Sequence, residues 1–227
     1  MSISTTISRL SGYYGRHGLR ATARRAAVAV KRALSSTGMV LFYCDPSEVT
    51  LHPTNVGSGF TVELRNHCAE LSAEELQAIT SFWNPRLAHR NMIERFGNGA
   101  LLWLIKSEGR LAGYGWTIRG GTLEPHFFPL GPSDVHFFDF HVFANYRGRG
   151  VNPFLVIHIL CSLAAEGRGR AFIEAACWNA AQLSSLKKTP FHRSGCARKW
   201  TLFGRTIVCW AGSGTVRQGT GKQREGS

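Results

Sequence analysis

Residues 135–178 constrain the fold of this chain more than any other segment, because two strand-like runs flank one helix-like run. The runs 135–143 and 171–178 are dense in apolar side chains, and the run 152–166 confines most of its polar side chains to one narrow stripe. A strand, a helix and a second strand connected in this order place the two strands parallel and adjacent in one sheet. The segment therefore predicts an α/β fold.

The turn between the first strand and the helix carries two arginines and two glycines, Arg147, Gly148, Arg149 and Gly150. Glycine lets the backbone turn its amide groups toward one point, the following helix adds free amides and the positive end of its dipole, and arginine adds charge. Ligands of open α/β sheets bind at the carboxyl ends of the strands, where this turn lies. The pattern indicates a phosphate-binding loop, although the same residue types also occur in flexible basic tails and in surface turns.

The pattern Arg147-x-x-Gly150 on a strand-to-helix turn resembles motif A of the GCN5-related N-acetyltransferase (GNAT) family. Asn179 and Phe191 have the spacing of the family's next motif, in which an Asn follows the fifth strand and a Phe opens the sixth. The resemblance is specific over residues 135–195 and compatible over residues 60–210. The chain is also similar to acetyltransferase-like proteins of bacterial polysaccharide gene clusters.

The resemblance implies an α/β (α+β) fold with a mixed, mainly antiparallel sheet, a central parallel strand pair and flanking helices, to which this chain adds an N-terminal basic helix. It also implies acetyl-coenzyme A as a co-substrate, with no metal. In the family, the turn binds the pyrophosphate of this co-substrate. The residues implied for its binding here are Phe140, Val142, Arg147, Gly148, Arg149, Gly150, Val151, Asn152 and Asn179.

Three residues depart from the family's pattern. Asn152 stands where the loop usually has Gly or Ala, and Pro190 stands where a Gly usually precedes the closing Phe. Leu186 stands where a Tyr often protonates the leaving thiolate, and leucine cannot donate a proton. Either another residue or water supplies that proton, or coenzyme A leaves unprotonated.

An amine that attacks a thioester must lose a proton, and the developing oxyanion needs hydrogen-bond donors. The resemblance implies that the backbone amides of Phe140 and Val142 are these donors. The candidate bases are polar residues of the two predicted strands: His136, Asp139, His141 and Glu174. The alternative for each is a core or groove residue with a structural partner, which for Glu174 would be an arginine nearby.

Which side chains of the run 135–143 share a face depends on whether the run is one continuous strand. If residues 135–143 form one uninterrupted strand, Asp139 and His141 share a face with Phe137, because side chains alternate along a strand. His136 and His141 then face opposite sides, which argues against a metal ion shared between them. The nine histidines show no ligand spacing, so we expect no metal site.

Positive charge is concentrated at one end of the chain. The net charge is +13, and residues 1–44 carry seven Arg and Lys residues with no acidic residue. Residues 18–34 have apolar side chains at helical spacing among arginines, which predicts a basic amphipathic helix. Such a helix can bind an anionic membrane surface or an acidic partner. It can also pack on its own domain or serve as a mitochondrial transit peptide.

The chain is expected to divide into a basic arm of residues 1–37, a GNAT-like domain of residues 38–211 that begins with the strand-like run 39–44, and a disordered tail of residues 212–227. The six cysteines show no C-x-x-C spacing, and no apolar run is long enough to span a membrane. We expect a cytoplasmic protein whose arm can lie on the inner face of the membrane.

Other segments predict further elements of the domain. The capping-box pattern at Ser72 predicts the start of one helix, and residues 86–96 predict a second helix. Residues 101–106 and 111–118 predict a hairpin, with a G1-type turn at Gly109. Strands and helices then follow one another in the order of the GNAT family.

These observations predict an acetyl-coenzyme A-dependent transferase that acetylates a small-molecule or carbohydrate amine, such as an amino sugar or a polysaccharide precursor. Glu124 and His126 either line the acceptor pocket or belong to a rigid surface connection. One alternative is a non-catalytic acyl-coenzyme A-binding or scaffolding module, which Leu186 favours. Another is a nucleic-acid-binding protein, which we disfavour because the charges cluster in one arm and no nucleic-acid-binding motif occurs.

Overall fold

A computed structural model describes residues 37–50, 59–81, 85–121, 130–167, 169–202 and 205–212. The predicted basic helix of residues 18–34, Glu124, His126 and the tail beyond residue 212 lie outside the described residues.

One mixed sheet organises the fold. Within the described residues it has eight strands in the spatial order β2-β3-β4-β5-β6-β1-β7-β8. Only β5 and β6 are parallel, and every other neighbouring pair is antiparallel. The predicted fold class is therefore confirmed. The strands are β1 (Thr37–Cys44), β2 (Phe60–Arg65), β3 (Leu101–Ser107), β4 (Arg110–Arg119), β5 (Val135–Val142), β6 (Ala171–Ala176), β7 (His192–Leu202) and β8 (Arg205–Gly212).

Four α-helices of the described chain cover the two faces of the sheet. They are α1 (Ala73–Thr80), α2 (Pro85–Gly97), α3 (Val151–Ala165) and α4 (Ala180–Leu186). The predicted capping box opens α1, because Ser72 Oγ accepts from the Glu75 amide and Glu75 accepts in return from the Ser72 amide. We call the face under α1 and α2 the α2 face, and the face under α3 and α4 the α3 face. Each face has its own hydrophobic core.

Strand β1 lies in the interior of the sheet, between β6 and β7, and is antiparallel to both. Its alternation sends Val40, Phe42 and Cys44 into the core of the α3 face, while Leu41, 1% exposed, points to the other face. The sequence predicts a strand at residues 39–44 but not this position. A strand that joins β6 to β7 is part of the folded domain, because both neighbours depend on it for their backbone hydrogen bonds.

Strand β5 contains a bulge. Its pairing with β4 jumps from Phe138 opposite Trp116 to His141 opposite Tyr114, so that β5 has one residue more than its partner between these pairs. Asp139 has a φ of 51°, in the left-handed region that few residues other than glycine adopt. The extra residue reverses the alternation of side chains in the second half of the strand.

The bulge overturns two predictions about the faces of β5. Phe137 and Phe140 lie together on the α3 face, with ring centroids 5.9 Å apart. Asp139 and His141 lie on the α2 face, so the prediction that Phe137 shares their face is wrong. His136 also lies on the α2 face, because its ring stacks on the ring of Phe138, which packs in the core of that face. The prediction that His136 and His141 face opposite sides is therefore wrong as well.

The hairpin between β3 and β4 is confirmed, but its turn differs from the predicted one. Glu108 and Gly109 form a two-residue loop between the paired residues Ser107 and Arg110. Both loop residues have positive φ, 51° and 76°, as in a type I′ turn. The irregularity lies farther from the turn. Ile105 is opposite Gly113 and Lys106 is opposite Leu111, so β4 has one residue more than β3 between these pairs.

An ion pair holds β5 and β6 together at their amino ends. The Asp134 carboxylate is nearly fully buried and accepts two hydrogen bonds from the Arg170 guanidinium, at 2.9 and 3.2 Å. It also accepts from the Gly131 amide at 2.7 Å, and the Val135 amide donates to the Arg170 carbonyl at 2.8 Å. These contacts therefore fix the distance between β5 and β6 at the point where both strands begin.

Replacing Arg170 with Met should keep an unbranched apolar side chain beside Phe172 while removing the guanidinium, and so leave the buried Asp134 carboxylate without its counter-ion. Because Arg170 itself is partly exposed, we expect the free energy of unfolding to fall by about 2 kcal/mol. Urea denaturation measures this change. Arg119→Met, at an exposed position on the end of β4, is the matched control. An equal effect in both variants would contradict a clamp at Asp134.

Candidate functional site

A gap opens between β5 and β6 toward their carboxyl ends. The two strands are paired over only three residues, from Val135 opposite Ala171 to Phe137 opposite Ile173, although both strands continue beyond that point. The carbonyl of Glu174, the next residue of β6, accepts a hydrogen bond from Gln182 Nε2 of α4 at 3.4 Å. A gap between adjacent parallel strands leaves backbone groups that an extended ligand can bind.

Val142 presents its backbone to this gap. The Phe143 amide donates to the Ala112 carbonyl at 3.0 Å, so Val142 and Gly113 form a non-hydrogen-bonded pair. The amide and carbonyl of Val142 therefore point away from β4, and its carbonyl accepts from Arg147 Nε at 3.2 Å. The Val142 amide is directed toward the gap, as the proposed role of an oxyanion or amide-binding donor requires.

The loop after β5 leads into the amino end of α3. Gly148 and Gly150 both have a φ of 78°, a conformation that glycine adopts without strain. The first intrahelical bond of α3 runs from the Phe154 amide to the Gly150 carbonyl at 3.0 Å. The amides of Val151 and Asn152 in the first turn therefore have no acceptor within the helix. Together with the helix dipole they form an anion-binding end.

The gap, the loop and α4 line one cleft of about 500 Å³. Eight of the nine residues predicted for cofactor binding line it, and the ninth, Arg149, places its guanidinium 5.9 Å from the ring centroid of Tyr146. Arg147 and Lys188 bring positive charge, and none of the described residues that line the cleft is acidic. Its electrostatic field therefore favours an anion.

Helix α4 forms the opposite wall of the cleft. Asn179 caps it, because its side-chain oxygen accepts from the Gln182 amide at 3.2 Å. Asn152 Nδ2 donates to Ser185 Oγ at 2.8 Å and so ties the start of α3 to α4, a contact that Gly or Ala could not make. Leu186 is fully buried in the core of the α3 face, so the site where the family often has Tyr offers no proton.

Sequence reasoning missed five residues of this wall, Ala181, Gln182, Ser184, Ser185 and Lys188. Four of them, from Ala181 onward, have the i, i+3, i+4 and i+7 spacing of one helix face. That spacing, read along the residues that follow Asn179, would have found them.

Two of the four candidate bases, one on β5 and one on β6, are in contact with each other. His136 Nε2 lies 2.8 Å from Glu174 Oε2, and the two side chains are 8% and 20% exposed. They lie on the α2 face, where the paired stretch of β5 and β6 ends. The sequence left open an arginine as the partner of Glu174, and the structure places a histidine in contact with it. An imidazole oriented by a carboxylate is an arrangement suited to accept a proton.

The other two candidates make different contacts. Asp139 forms an ion pair with Arg95 of α2 at 2.5 Å, and the Arg95 guanidinium lies over the rings of Trp116 and Phe138, 5.1 and 5.4 Å from their centroids. The carboxylate is thus neutralised by a fixed cation. His141 is stacked on Tyr114 with centroids 5.5 Å apart.

Across the described ranges, no group of three or more His, Cys, Asp and Glu side chains is arranged to hold a metal ion. In the same part of the chain, no helix combines the length and the apolar composition that crossing a membrane requires.

No protein-family model matches the sequence, and no curated protein is significantly similar to it. Solved structures do resemble this one. A tandem GNAT protein from the clavulanic acid biosynthesis pathway is 14% identical, with a TM-score of 0.53 over 84% of this chain and 58% of that chain. A GNAT-family acetyltransferase from Colwellia psychrerythraea is 13% identical, with a TM-score of 0.50 over 82% of this chain and 60% of that chain.

This chain has the GNAT fold. A third structure with that fold is a GCN5-related glucosamine N-acetyltransferase region of a fungal multi-domain GH3 β-N-acetylglucosaminidase. It is 11% identical, with a TM-score of 0.52 over 78% of this chain and 22% of that chain. This chain thus spans less than two thirds of the length of each of the three proteins, and the likeness is one of fold.

Two histidines of this chain, His141 and His158, should make the stability of the folded protein depend on pH. Burial lowers the pKa of His141, the charge of Arg147 lowers it further, and burial also lowers the pKa of His158. The unfolded chain then binds more protons than the folded one below about pH 6.5, so stability falls as the pH drops through this value. We expect a lower urea midpoint at pH 5 than at pH 7, with a smaller drop in His141→Gln and in His158→Gln. A drop of undiminished size in both variants would contradict this account.

Proposed function

We propose that this chain is an N-acyltransferase that transfers an acetyl group from acetyl-coenzyme A to a primary amine. One observation carries the proposal: the gap between β5 and β6, the amino end of α3 and the wall of α4 all line a single cleft of about 500 Å³. A cleft of this size is in the range of small-molecule and cofactor sites. Its cationic side chains suit a ligand that carries phosphates.

The lining residues fit the parts of acetyl-coenzyme A. The amides at the start of α3, the two glycines before it and Arg147 would hold the pyrophosphate. The extended pantetheine arm would lie in the gap, where the Val142 amide is directed. Acetyl-coenzyme A supplies the acyl group in activated form, as a thioester.

His136 and Glu174 are proposed to take the proton from the amine. The amine nitrogen forms a bond to the acyl carbon, the carbon–sulfur bond breaks, and the nitrogen loses a proton to His136. Glu174 orients the imidazole through the 2.8 Å contact, which makes it a positioning residue. Coenzyme A leaves as a thiolate and takes its proton from water, because the buried Leu186 has none to give.

An amino sugar or a polysaccharide precursor is the candidate acceptor. It is supported by the resemblance to proteins of polysaccharide gene clusters and by the glucosamine N-acetyltransferase region among the similar structures.

A non-catalytic acyl-coenzyme A-binding module is the second candidate function. Leu186 favours it, since this residue is 0% exposed and lies in the hydrophobic core, where it can take no part in proton transfer. Tight binding of acetyl-coenzyme A without turnover over a broad panel of amines would decide for this alternative.

Gly150→Val should weaken the binding of acetyl-coenzyme A at least tenfold, measured by isothermal titration calorimetry. A β-branched residue is strained at a φ of 78°, so the loop must shift away from the amino end of α3. Gly121→Val is the matched control, because Gly121 has no positive φ and a Cβ there meets nothing within 4 Å. Equal affinity in the wild type and Gly150→Val would refute the assignment of the phosphate loop.

Glu174→Gln should lower kcat by about 10²-fold or more and leave the affinity for acetyl-coenzyme A unchanged. Without the carboxylate the His136 imidazole loses the partner that orients it, so the loss should fall on kcat and not on the KM for acetyl-coenzyme A. Initial rates and calorimetric titration measure the two effects. Glu166→Gln, at the far end of α3, is the control. Equal losses of kcat and of affinity for acetyl-coenzyme A would mean that Glu174 acts only on the fold.

A further inference from the structure

The first strand begins at the same end of the sheet as the cleft. Strand β1 is antiparallel to β6, so its first residue, Thr37, lies at the carboxyl end of β6. The Gly38 carbonyl accepts from the Cys177 amide at 2.9 Å, and Asn179, two residues farther along, lines the cleft. Residues 1–36, which precede β1 in the sequence, therefore join the domain beside the cleft.

Strand β7 brings basic residues to this end of the sheet. It is antiparallel to β1 and places Lys199 opposite Thr37 and Arg198 opposite Gly38. The Arg198 side chain is exposed. The start of β1 is thus flanked by Cys177 on one side and by two basic residues on the other.

The charge of the whole end is positive. The described segments that meet there are 37–39, 142–152, 176–181, 198–202 and 205–207. We call the surface that they form the basic end. Within these segments no residue is acidic, and the basic ones are Arg147, Arg149, Arg198, Lys199 and Arg205. The β3–β4 hairpin reaches the same end and adds one charge of each sign, Glu108 and Arg110. Residues 1–36 add seven Arg and Lys residues and no acidic residue. The basic end therefore attracts an anionic partner.

An exposed indole lies at the basic end. Trp178 stands between Cys177 and Asn179 and is 79% exposed, more than any other large apolar side chain of the described residues. Tryptophan is highly buried on average in folded proteins. Its ring is apolar and carries one hydrogen-bond donor, and such side chains are enriched where a membrane meets water. An exposed indole on a basic surface suits a partner that is both anionic and apolar.

The sequence of residues 1–36 favours a lipid surface over a nucleic acid as that partner. The predicted helix of residues 18–34 repeats apolar residues at helical spacing, among them Leu19 and Val30. A membrane offers acyl chains to such a stripe and lipid phosphates to the arginines around it. A nucleic acid offers phosphates but has no counterpart for an aliphatic stripe.

We propose that the basic end binds an anionic lipid membrane, with Trp178 among the headgroups and the basic residues that precede β1 against the lipid phosphates. The proposal goes beyond the proposed function and does not depend on it, because binding to lipid needs neither acetyl-coenzyme A nor an acceptor. It would hold the end of the sheet that carries the cleft at the membrane surface. An acceptor amine that is attached to a lipid would be concentrated at that surface.

The probe is a suspension of vesicles of equimolar phosphatidylglycerol and phosphatidylcholine, and vesicles of phosphatidylcholine alone are the comparison. Binding of the full chain is measured by co-sedimentation at low and at physiological salt. Trp178→Ser and Arg198→Ser each remove one exposed side chain of the basic end, so the fold should tolerate both. Ile93→Ser is the control for the indole, because Ile93 is 52% exposed on α2. Arg119→Ser is the control for the charge, because Arg119 is exposed at the opposite end of the sheet.

We expect the full chain to bind the anionic vesicles at least tenfold more strongly than the neutral ones, and less strongly as the salt concentration rises. Arg198→Ser should weaken binding about fivefold, the effect of one basic residue near an anionic surface. Trp178→Ser should weaken it about threefold or more, because the ring no longer leaves water. Ile93→Ser and Arg119→Ser should bind as the wild type does.

Two results would overturn the proposal. One is equal binding to anionic and neutral vesicles, or wild-type binding in both Trp178→Ser and Arg198→Ser. The other comes from single-stranded RNA as a competing polyanion. If the chain binds this RNA and not the anionic vesicles, and Trp178→Ser weakens that binding, the basic end is a nucleic-acid surface.

Discussion

The early end of pairing between β5 and β6 is the constraint on which the site depends. The two strands are held at their amino ends by Asp134 and Arg170, and their pairing ends after Phe137. A gap in a sheet exposes backbone groups that cost free energy unless they find partners. Here the Val142 carbonyl accepts a hydrogen bond from Arg147 of the loop, and the Glu174 carbonyl accepts one from the side-chain amide of Gln182 in α4. The same elements that satisfy the gap also line the cleft.

A glycine in β4 makes the bulge of β5 possible. A Cβ at Gly115 would lie 2.4 Å from the ring of Phe140, closer than any side chain can approach. The absence of that atom lets the ring lie across β4 and stack on Phe137 in the core of the α3 face. With Phe140 anchored there, the extra residue Asp139 is accommodated at positive φ, where its pairing with Arg95 ties the bulge to α2.

The bulge also divides the chemistry of β5 between two cavities. Phe140 and Val142 line the cationic cleft, while Asp139 lines the neutral pocket under α2. His136 and Glu174 are in contact at the end of the paired stretch and are not among the described lining residues of either cavity. The two cavities therefore differ in charge, because Arg147 and Lys188 line the cleft without an acidic residue, whereas the two charged residues of the pocket are paired with each other.

The sequence by itself determined the elements whose signals are local: the loop from Arg147 to Gly150 with the helix after it, the capping box at Ser72, the β3–β4 hairpin and the parallel pair that a crossover dictates. Only the tertiary structure decided the bulge at Asp139, the contact between His136 and Glu174, the place of β1 between β6 and β7, and the pocket under α2. Each of these joins residues far apart in the chain, such as Gly115 with Phe140 or Arg95 with Asp139. A side-chain period of two describes a regular strand, and it contains no information on the residue at which packing against another strand forces an extra one.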